Sequence, residues 1–578
     1  MSAKFREGSF SMFNRLLTFV AAVLIFLAVS SPASFAQDVS GVTGTVTDKT
    51  GAAVADAAVK LTDTRTGAVY ETKTGSFGAY TFAKVAPGPG YTLAVTKDNF
   101  KTATISNLYL AVATVRTQDV VLEIGAINQT VEVKSEGSVS LNTTDTTIGN
   151  NFDLRTVASP PAEFRDSAAA LLRLEPGVVN APSRGVPPPA DPSGSRDGSI
   201  AGARADQNNI TVDGIDATDF GIGQAFIQVA PTPIDAIQEF NTQVGDPTSA
   251  YGRGSGAQTV ITTKSGSNDW HGSAREYNRT AATEANTFFN NKAGVAKPGL
   301  IRNQFGANLG GAAKKDKLFF FFDYEGRRDI SQLGLEQIVP LDSFRGDSGS
   351  SGGLAYIHTG TDAKGNPCDQ NARLNSAVTG QCISILTPAQ IAAFDPCSKA
   401  GAPGPCTASG QAGGTSVTPG INQALLQFID GRYPHANDLS AGDGINTGGF
   451  RYNAPVPLQE NIYTTRVDYN INSKQKLFTR FNFNNVNAIQ TPIQFTGDPV
   501  TGPQVVRDKS WVIGHTWTFS ANTVNQFVYG ETRAEANFPI NFNPAGTVFP
   551  LNWFPGTPLS NPFARQSTQS AINPVPTF

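Results

Sequence analysis

Between Asn461 and Asn472 the chain changes character at every residue. Tyr463, Thr465, Val467, Tyr469 and Ile471 fall on one side of an extended strand, and Thr464, Arg466, Asp468 and Asn470 on the other. A period of two over that length belongs to a β-strand with two unlike faces and does not fit a helix. The next segment repeats the split, with Leu477, Thr479, Phe481 and Phe483 against Arg480, Asn482 and Asn484. Asn472-Ser473-Lys474-Gln475 between them is short enough for a hairpin turn. Similar hairpins are expected over 302–327, turning near 312–316, and over 510–533, turning near 520–522. A soluble antiparallel sheet also alternates. The aromatic ends at Phe319 to Phe322, Tyr463, Tyr469, Trp511, Trp517 and Tyr529 instead favour transmembrane strands with lipid outside and water inside.

A chain of 578 residues exceeds what one hydrophobic core organises, so several domains are expected. A net charge of −3 with 16% charged residues leaves no basic footprint for nucleic acid, which is excluded as a partner. At the N-terminus Lys4, Arg6 and Arg15 precede an apolar run, 16–29, and Ser34-Phe35-Ala36 offers small residues ahead of Gln37. This pattern predicts an export signal cleaved between Ala36 and Gln37, since the run is shorter than the roughly 20 apolar residues of a spanning helix. No second long apolar stretch follows, which excludes a helical inner-membrane protein and leaves secreted, periplasmic or β-barrel fates.

Export makes disulfides chemically available to Cys368, Cys382, Cys397 and Cys406, which share one segment. Three pairings exist and the sequence does not choose among them; sequential pairs, Cys368 with Cys382 and Cys397 with Cys406, would close the shortest loops. The four histidines are scattered singly, and no Ser/His/Asp, Cys/His or paired-carboxylate arrangement stands out. Neither a metal, a cofactor nor an enzymatic activity is expected. Asp213, Asp216 and Asp219 do not have the alternate-residue spacing of a calcium loop. Gly252-Arg253-Gly254 lacks the lysine and helix of a phosphate loop, so both stretches are expected to be structural turns.

Residues 37–124 alternate over short runs between turn signals, as in Ala58-Val59-Lys60-Leu61 and Tyr91-Thr92-Leu93-Ala94-Val95, and predict a small β-sandwich. The Gly44-Thr45-Val46-Thr47-Asp48 opening, the Gly78-Ala79-Tyr80-Thr81-Phe82 strand and the Pro87-Gly88 turn resemble a carboxypeptidase-regulatory-like domain of Ig-like or transthyretin-like type. Peptidase chemistry does not follow, because residues 37–270 contain no histidine. The reading leaves two alternatives, a spacer or a carbohydrate-binding module.

The stretch 234–268 carries Ile237-Gln238-Glu239-Phe240, then Tyr251-Gly252-Arg253-Gly254, then a β-branched strand closing in Thr263-Lys264-Ser265-Gly266. With Leu171-Leu172-Arg173-Leu174-Glu175-Pro176-Gly177 and Asn209-Ile210-Thr211-Val212-Asp213-Gly214 it resembles the plug of a TonB-dependent outer-membrane transporter. Arg302-Asn303-Gln304-Phe305-Gly306 and the run 317–326 are similar to the first barrel strands of the Oar-like branch of that family. The resemblance implies a mainly β, multidomain chain. A β-sandwich is followed by a connector (125–153), an α+β plug (154–268) with a helix near 168–174, and the first part of a transmembrane antiparallel β-barrel (269–578).

Within the connector, Gln129-Thr130-Val131-Glu132-Val133 resembles a TonB box, although the same residues would also serve as the sandwich's last strand. The resemblance implies TonB and its inner-membrane energising complex as partners, an outer-membrane location amid lipid, and the sandwich and plug on the periplasmic side. It also implies a ligand met by an extracellular loop over 329–460. About seven strands are counted where such barrels close with about 22, so the chain is expected to be the N-terminal part of a longer protein. The competing expectation is an outer-membrane adhesion or envelope-organising protein that transports nothing.

Overall fold

The computed structural model describes residues 39–125, 130–134, 147–153, 167, 171–172, 175–181, 197–219, 228–245, 254–345, 354–357, 361, 365, 367–368, 382–387, 389–390, 393, 430–491, 493, 495–496, 502–520 and 523–538. The expected signal sequence with Ala36 and Gln37, Gln129, Arg173, Tyr251, Gly252, Arg253, and the pair Cys397 and Cys406 lie outside these residues.

Nine strands open the chain: β1 (Ser40–Asp48), β2 (Ala58–Asp63), β3 (Val69–Lys73), β4 (Ala79–Val85), β5 (Gly88–Thr96), β6 (Thr102–Leu110), β7 (Val115–Thr117), β8 (Val120–Leu122) and β9 (Thr130–Lys134). One sheet sets β4 and the short β7 and β8 on either side of β1; the other runs β3-β2-β5-β6-β9. Alternation decides the packing. On β2, Val59 and Leu61 turn inward while Ala58 and Lys60 stay in solvent. They meet Val42, Val46, Tyr91, Leu93 and Leu108 in a continuous apolar core between the sheets. The segment read as a TonB box is the edge strand β9, laid parallel to β6 in the register Thr102↔Thr130 to Ser106↔Lys134.

A second unit follows, with β10 (Ile148–Asp153), β11 (Val178–Ala181), β12 (Asp197–Ile200), β13 (Asn209–Val212), β14 (Ile215–Asp216), β15 (Ile237–Gly245) and β16 (Gln258–Thr263). Its sheet runs β10-β15-β16-β13-β14, with β13 and β16 parallel. Leu171, Leu172, Ile210, Ile237, Phe240 and Ile261 form its small core. Most of the expected helix at 168–174 falls outside the described residues.

Most of the remaining described residues form one large antiparallel sheet. Its strands are β17 (His271–Thr280), β18 (Leu300–Lys314), β19 (Leu318–Pro340), β22 (Thr447–Pro455), β23 (Leu458–Asn472), β24 (Gln475–Thr491), β25 (Gly502–Ser520), β26 (Thr523–Arg533) and β27 (Ala536–Asn537). Between β19 and β22 a small separate hairpin pairs β20 (Leu354–Ile357) with β21 (Ile383–Leu386). The main order is β17-β18-β19-β23-β24-β25-β26, seven strands, with β22 on the far end of β19 and β27 beside β25. Among the described strands β17 and β26 do not pair, so the sheet is an unclosed barrel wall. The three hairpins turn near 314–318, 472–475 and 520–523, as the period-two pattern predicts.

Three expectations need correction. The loop expected over 329–460 is shorter, because β19 runs on to Pro340 and pairs with β22, so both ends of that stretch belong to strands. The sequence hides this extension because Gly334 and the polar residues around it read as loop. The break between β22 and β23 falls at Pro457, which has no N–H to give to the ladder. The run Phe319 to Phe322 does not face one way: Phe322 is exposed, whereas Phe319 and Phe321 are buried on the inner face. Finally, the polar face of β23 and β24 is not water-lined where Thr464, Arg480, Asn482 and Asn484 stand; all four are buried, and Arg480 and Asn482 bond to the second unit.

Cys368 and Cys382 are joined by a disulfide, with their Cα atoms 5.7 Å apart, outside the large sheet between β20 and β21. The other face of the large sheet shows Leu309, Phe322, Tyr463, Tyr469, Phe481, Ile513, Trp517, Phe527 and Tyr529 to the surroundings. Exposed apolar residues recurring at every second position across neighbouring strands suit hydrocarbon.

Candidate functional site

The second unit and the inner face of the large sheet meet through charge. β13 and β14 are joined by the two-residue turn Asp213-Gly214, both at positive φ (48° and 84°), the conformation that an Asp-Gly hairpin turn requires. That turn pushes the Asp213 carboxylate out of the end of its own sheet. One oxygen accepts from the Thr263 backbone N–H (3.0 Å) and from Arg466 Nη1 (2.9 Å). The other accepts from the Thr263 hydroxyl (2.8 Å) and is ion-paired with Arg480 Nε (2.9 Å). Asp213 and Arg480 are each only 1% exposed, so this is a dry pair of opposite charges shared between two bodies.

Arg466 is placed by β23 and Arg480 by the adjacent β24, in directly opposed positions of the ladder. Two guanidiniums side by side need more than one carboxylate. Asp468, two residues along the same face of β23, pairs with Arg466 at 3.0 Å and accepts from the Ser265 hydroxyl at 2.8 Å. The local sum is two cations and two carboxylates. The Arg466 guanidinium also lies 4.9 Å from the centre of the Phe478 ring, and Arg480 donates to the Ser510 hydroxyl (3.2 Å) on β25.

A second contact surrounds Arg275 on β17. It pairs with Asp235 of the second unit (3.1 Å) and with Asp323 (2.9 Å) and Glu325 (3.0 Å) on β19. Lys264 donates to the Asp235 backbone carbonyl at 2.7 Å. Further along, Asn482 donates to the carbonyls of Ala230 and Pro231 (3.1 and 3.0 Å), and Thr532 to that of Asp216 (2.8 Å). At Gly266 the chain leaves the unit so close to the sheet that a Cβ there would stand 2.4 Å from the Phe320 carbonyl. Glycine is required at that crossing.

The sandwich touches the same sheet at its turns. The Asn268 N–H donates to the Arg65 carbonyl (2.8 Å), and its side chain exchanges hydrogen bonds with Asp316 (2.7 and 2.8 Å). The Lys476 ammonium lies 3.7 Å from the centre of the Tyr70 ring and donates to its hydroxyl. A cavity of about 130 Å³ remains where the three bodies meet, lined by Arg65, Lys84, Arg466, Asp468 and Lys476 among others.

Of the residues singled out in the sequence, the structure brings Asp213, Lys264 and Gly266 to the interface. Leu172 is in the unit's core, Gly177 (φ 82°) and Gly254 (φ 80°) serve its turns, and Pro176 precedes the first of them. Glu239 is fully buried on β15. Glu175 is buried too; loss of hydration raises its pKa above the usual carboxylate range, against a hydrogen bond from Asn150. Asp216 ends β14; its carboxylate accepts from the Thr218 N–H, while its backbone carbonyl takes the bond from Thr532 of the large sheet. Among the described residues no group of three His, Cys, Asp or Glu side chains is arranged to hold a metal. Sequence reasoning missed Arg275, Asp235, Asp323 and Glu325, and it assigned Arg466, Asp468 and Arg480 to water. The available signal was the density of charge on a strand face that the neighbouring period would turn inward.

Comparison with known proteins agrees with this architecture. Residues 262–577, more than half of the chain, match the family described as outer membrane beta barrel domain, and residues 41–123 match the carboxypeptidase regulatory-like domain. The chain is similar to the TonB-dependent transporter Oar of Myxococcus xanthus, with 29% identity over 325 residues, 53% of this chain and 28% of the relative. It therefore spans little more than a quarter of that relative's length. Among solved structures, the outer membrane transporter YddB from Escherichia coli aligns over 67% of this chain and 39% of its own, at 10% identity and a TM-score of 0.37. The ferric enterobactin receptor of Pseudomonas aeruginosa aligns over 67% and 40%, at 11% identity and a TM-score of 0.35.

Proposed function

The chain belongs to the outer membrane β-barrel domain family, and from that premise we propose that it works as a TonB-dependent receptor whose second unit is the plug. Outer-membrane location comes with the family. The rest is our reading. An export signal ends at Ala36, and the sandwich, β9 and the plug face the periplasm. Segment 341–446, held by the Cys368–Cys382 bridge, faces outward and meets the ligand. TonB pulls on Thr130 to Val133, the plug shifts, and ligand passes. No reaction is catalysed.

The observation that carries this reading is the Asp213–Arg466–Arg480 clamp. A plug that must move and return cannot be fused to the wall by a continuous apolar core, since re-solvating such a surface costs about 25 cal/mol per Å². An interface of ion pairs and hydrogen bonds is directional, holds one position, and exposes groups that water accepts when it opens. Bringing two arginines and two carboxylates together is what fixes that position here.

Deleting residues 128–134 tests the reading. In the complete protein the deletion should leave membrane insertion unchanged and abolish co-purification with the periplasmic domain of the host's TonB. Equal capture of wild type and deletion would remove these residues from the proposed role.

A further inference from the structure

We propose that β9 is stowed: at rest the pulled segment is a strand of the sandwich, and it must peel from β6 before force reaches the plug. This rests on the reading of Thr130 to Val133 as the TonB-engaging segment. The match to the carboxypeptidase regulatory-like domain ends at residue 123, ahead of β9, and among the described side chains the apolar core is drawn from Val42 to Leu122. The chain leaves β8, which belongs to the first sheet, and returns to add one more strand to the far edge of the second. That strand contributes a five-residue parallel ladder with β6. Edge addition of this kind is held by backbone hydrogen bonds and tolerates exchange of the strand for another. It also covers the otherwise open edge of β6, which would be exposed to unwanted pairing.

The position of the ladder gives it a mechanical consequence. Upstream, the sandwich is fastened to the sheet's turns by Arg65 with Asn268 and by Tyr70 with Lys476. Downstream, the chain runs from β9 to β10, which pairs with β15 in the plug sheet. While β9 remains on β6, a pull on it loads the β6 ladder and the docked sandwich. Only after the ladder parts does tension pass along 135–147 to β10. The sandwich therefore sets a threshold for plug movement, and it does so whichever edge of β9 TonB takes.

A reversible lock tests this. Thr104 and Glu132 are opposed in the parallel register, and neighbouring strands lie about 4.8 Å apart, within the Cα range of a disulfide. The complete protein carrying Thr104→Cys with Glu132→Cys would also carry Thr232→Cys, a buried plug position beside Asn482 of the wall. Maleimide labelling of that reporter in energised cells reads plug movement. The expected result is loss of labelling in the oxidised protein to the level of cells lacking TonB, recovery on reduction, and no effect of oxidation on the variant without Glu132→Cys. Labelling unchanged by a lock that has formed would overturn the proposal, as would a lock that does not form. Labelling that ignores TonB even in the reduced protein would overturn the receptor reading itself and with it this inference.

Discussion

One strand face touches two bodies in two ways. Lys476 and Arg480 stand four residues apart on β24 with their side chains on the same side, and each holds a different part of the molecule. Lys476 meets the sandwich through Tyr70, at a half-buried contact, while Arg480 meets the second unit, the plug of the reading proposed above, through Asp213, out of reach of water. The bodies differ in the complementary sense. The sandwich has its own apolar core between two sheets and needs little from the wall. Among the described residues the plug sheet has a smaller core and buries Thr242, Gln243, Gln258, Thr259 and Thr263 as well, polar side chains whose cost depends on partners being present. A self-sufficient domain is docked weakly, and a dependent one is clamped. On the proposed receptor reading, that division suits a clamped part that lets go along one path while the docked part keeps its fold.

The comparison breaks most readily at Arg480. Arg480→Ala leaves Asp213 buried with one guanidinium instead of two, and stranding a buried charge costs about 3–5 kcal/mol. Arg466 remains, so the lower end of that range is expected. It would be read as a lower urea midpoint for protease attack on the plug, with the sheet's own transition unmoved. Self-sufficiency of the sandwich is tested next. Residues 39–125 should melt cooperatively alone, and Leu93→Ala should lower their stability by about 2–5 kcal/mol without changing plug cleavage in the complete protein. A fragment that is unfolded by itself would erase the contrast. The smallest effect belongs to Lys476→Ala, where loss of a partly exposed cation–π contact should cost about 0.5–1 kcal/mol. Faster proteolytic release of the sandwich would report it, with neither body's melting temperature altered.

Much of the fold is local in origin and was therefore legible. The alternation from Tyr463 to Asn484 dictates a hairpin whatever surrounds it, and Asp213-Gly214 announces its turn through the conformations that only such residues accept readily. The Val59/Leu61 and Tyr91/Leu93 pairs mark the faces of the sandwich in the same way. What stayed hidden depends on distant parts of the chain. Asp213 finds Arg466 and Arg480 more than 250 residues away, and no spacing in the sequence connects them. A polar strand face reads identically whether water or a plug covers it, so Arg480 and Asn482 looked solvated. Phe319 and Phe321 could be turned inward only once the neighbouring strands had fixed which parity of β19 faces the plug. The site of β9 was half legible: a last strand of the sandwich was one of the two readings of Gln129 to Val133, but a β-prone polar pentapeptide pairs with any open edge, and the edge of β6 that it takes is supplied from elsewhere.

The central claim is that the buried Asp213 carboxylate, shared by Arg466 and Arg480, clamps the proposed plug to the wall, and a double-mutant cycle on Asp213 and Arg480 tests it most directly. Asp213→Asn, Arg480→Gln and the combination would each be followed by the urea dependence of plug cleavage in the detergent-solubilised protein. The account predicts that the two single costs do not add, with a coupling of at least about 1.5 kcal/mol between the sites. Additive costs would contradict it and would mean that the two residues stabilise their own bodies independently.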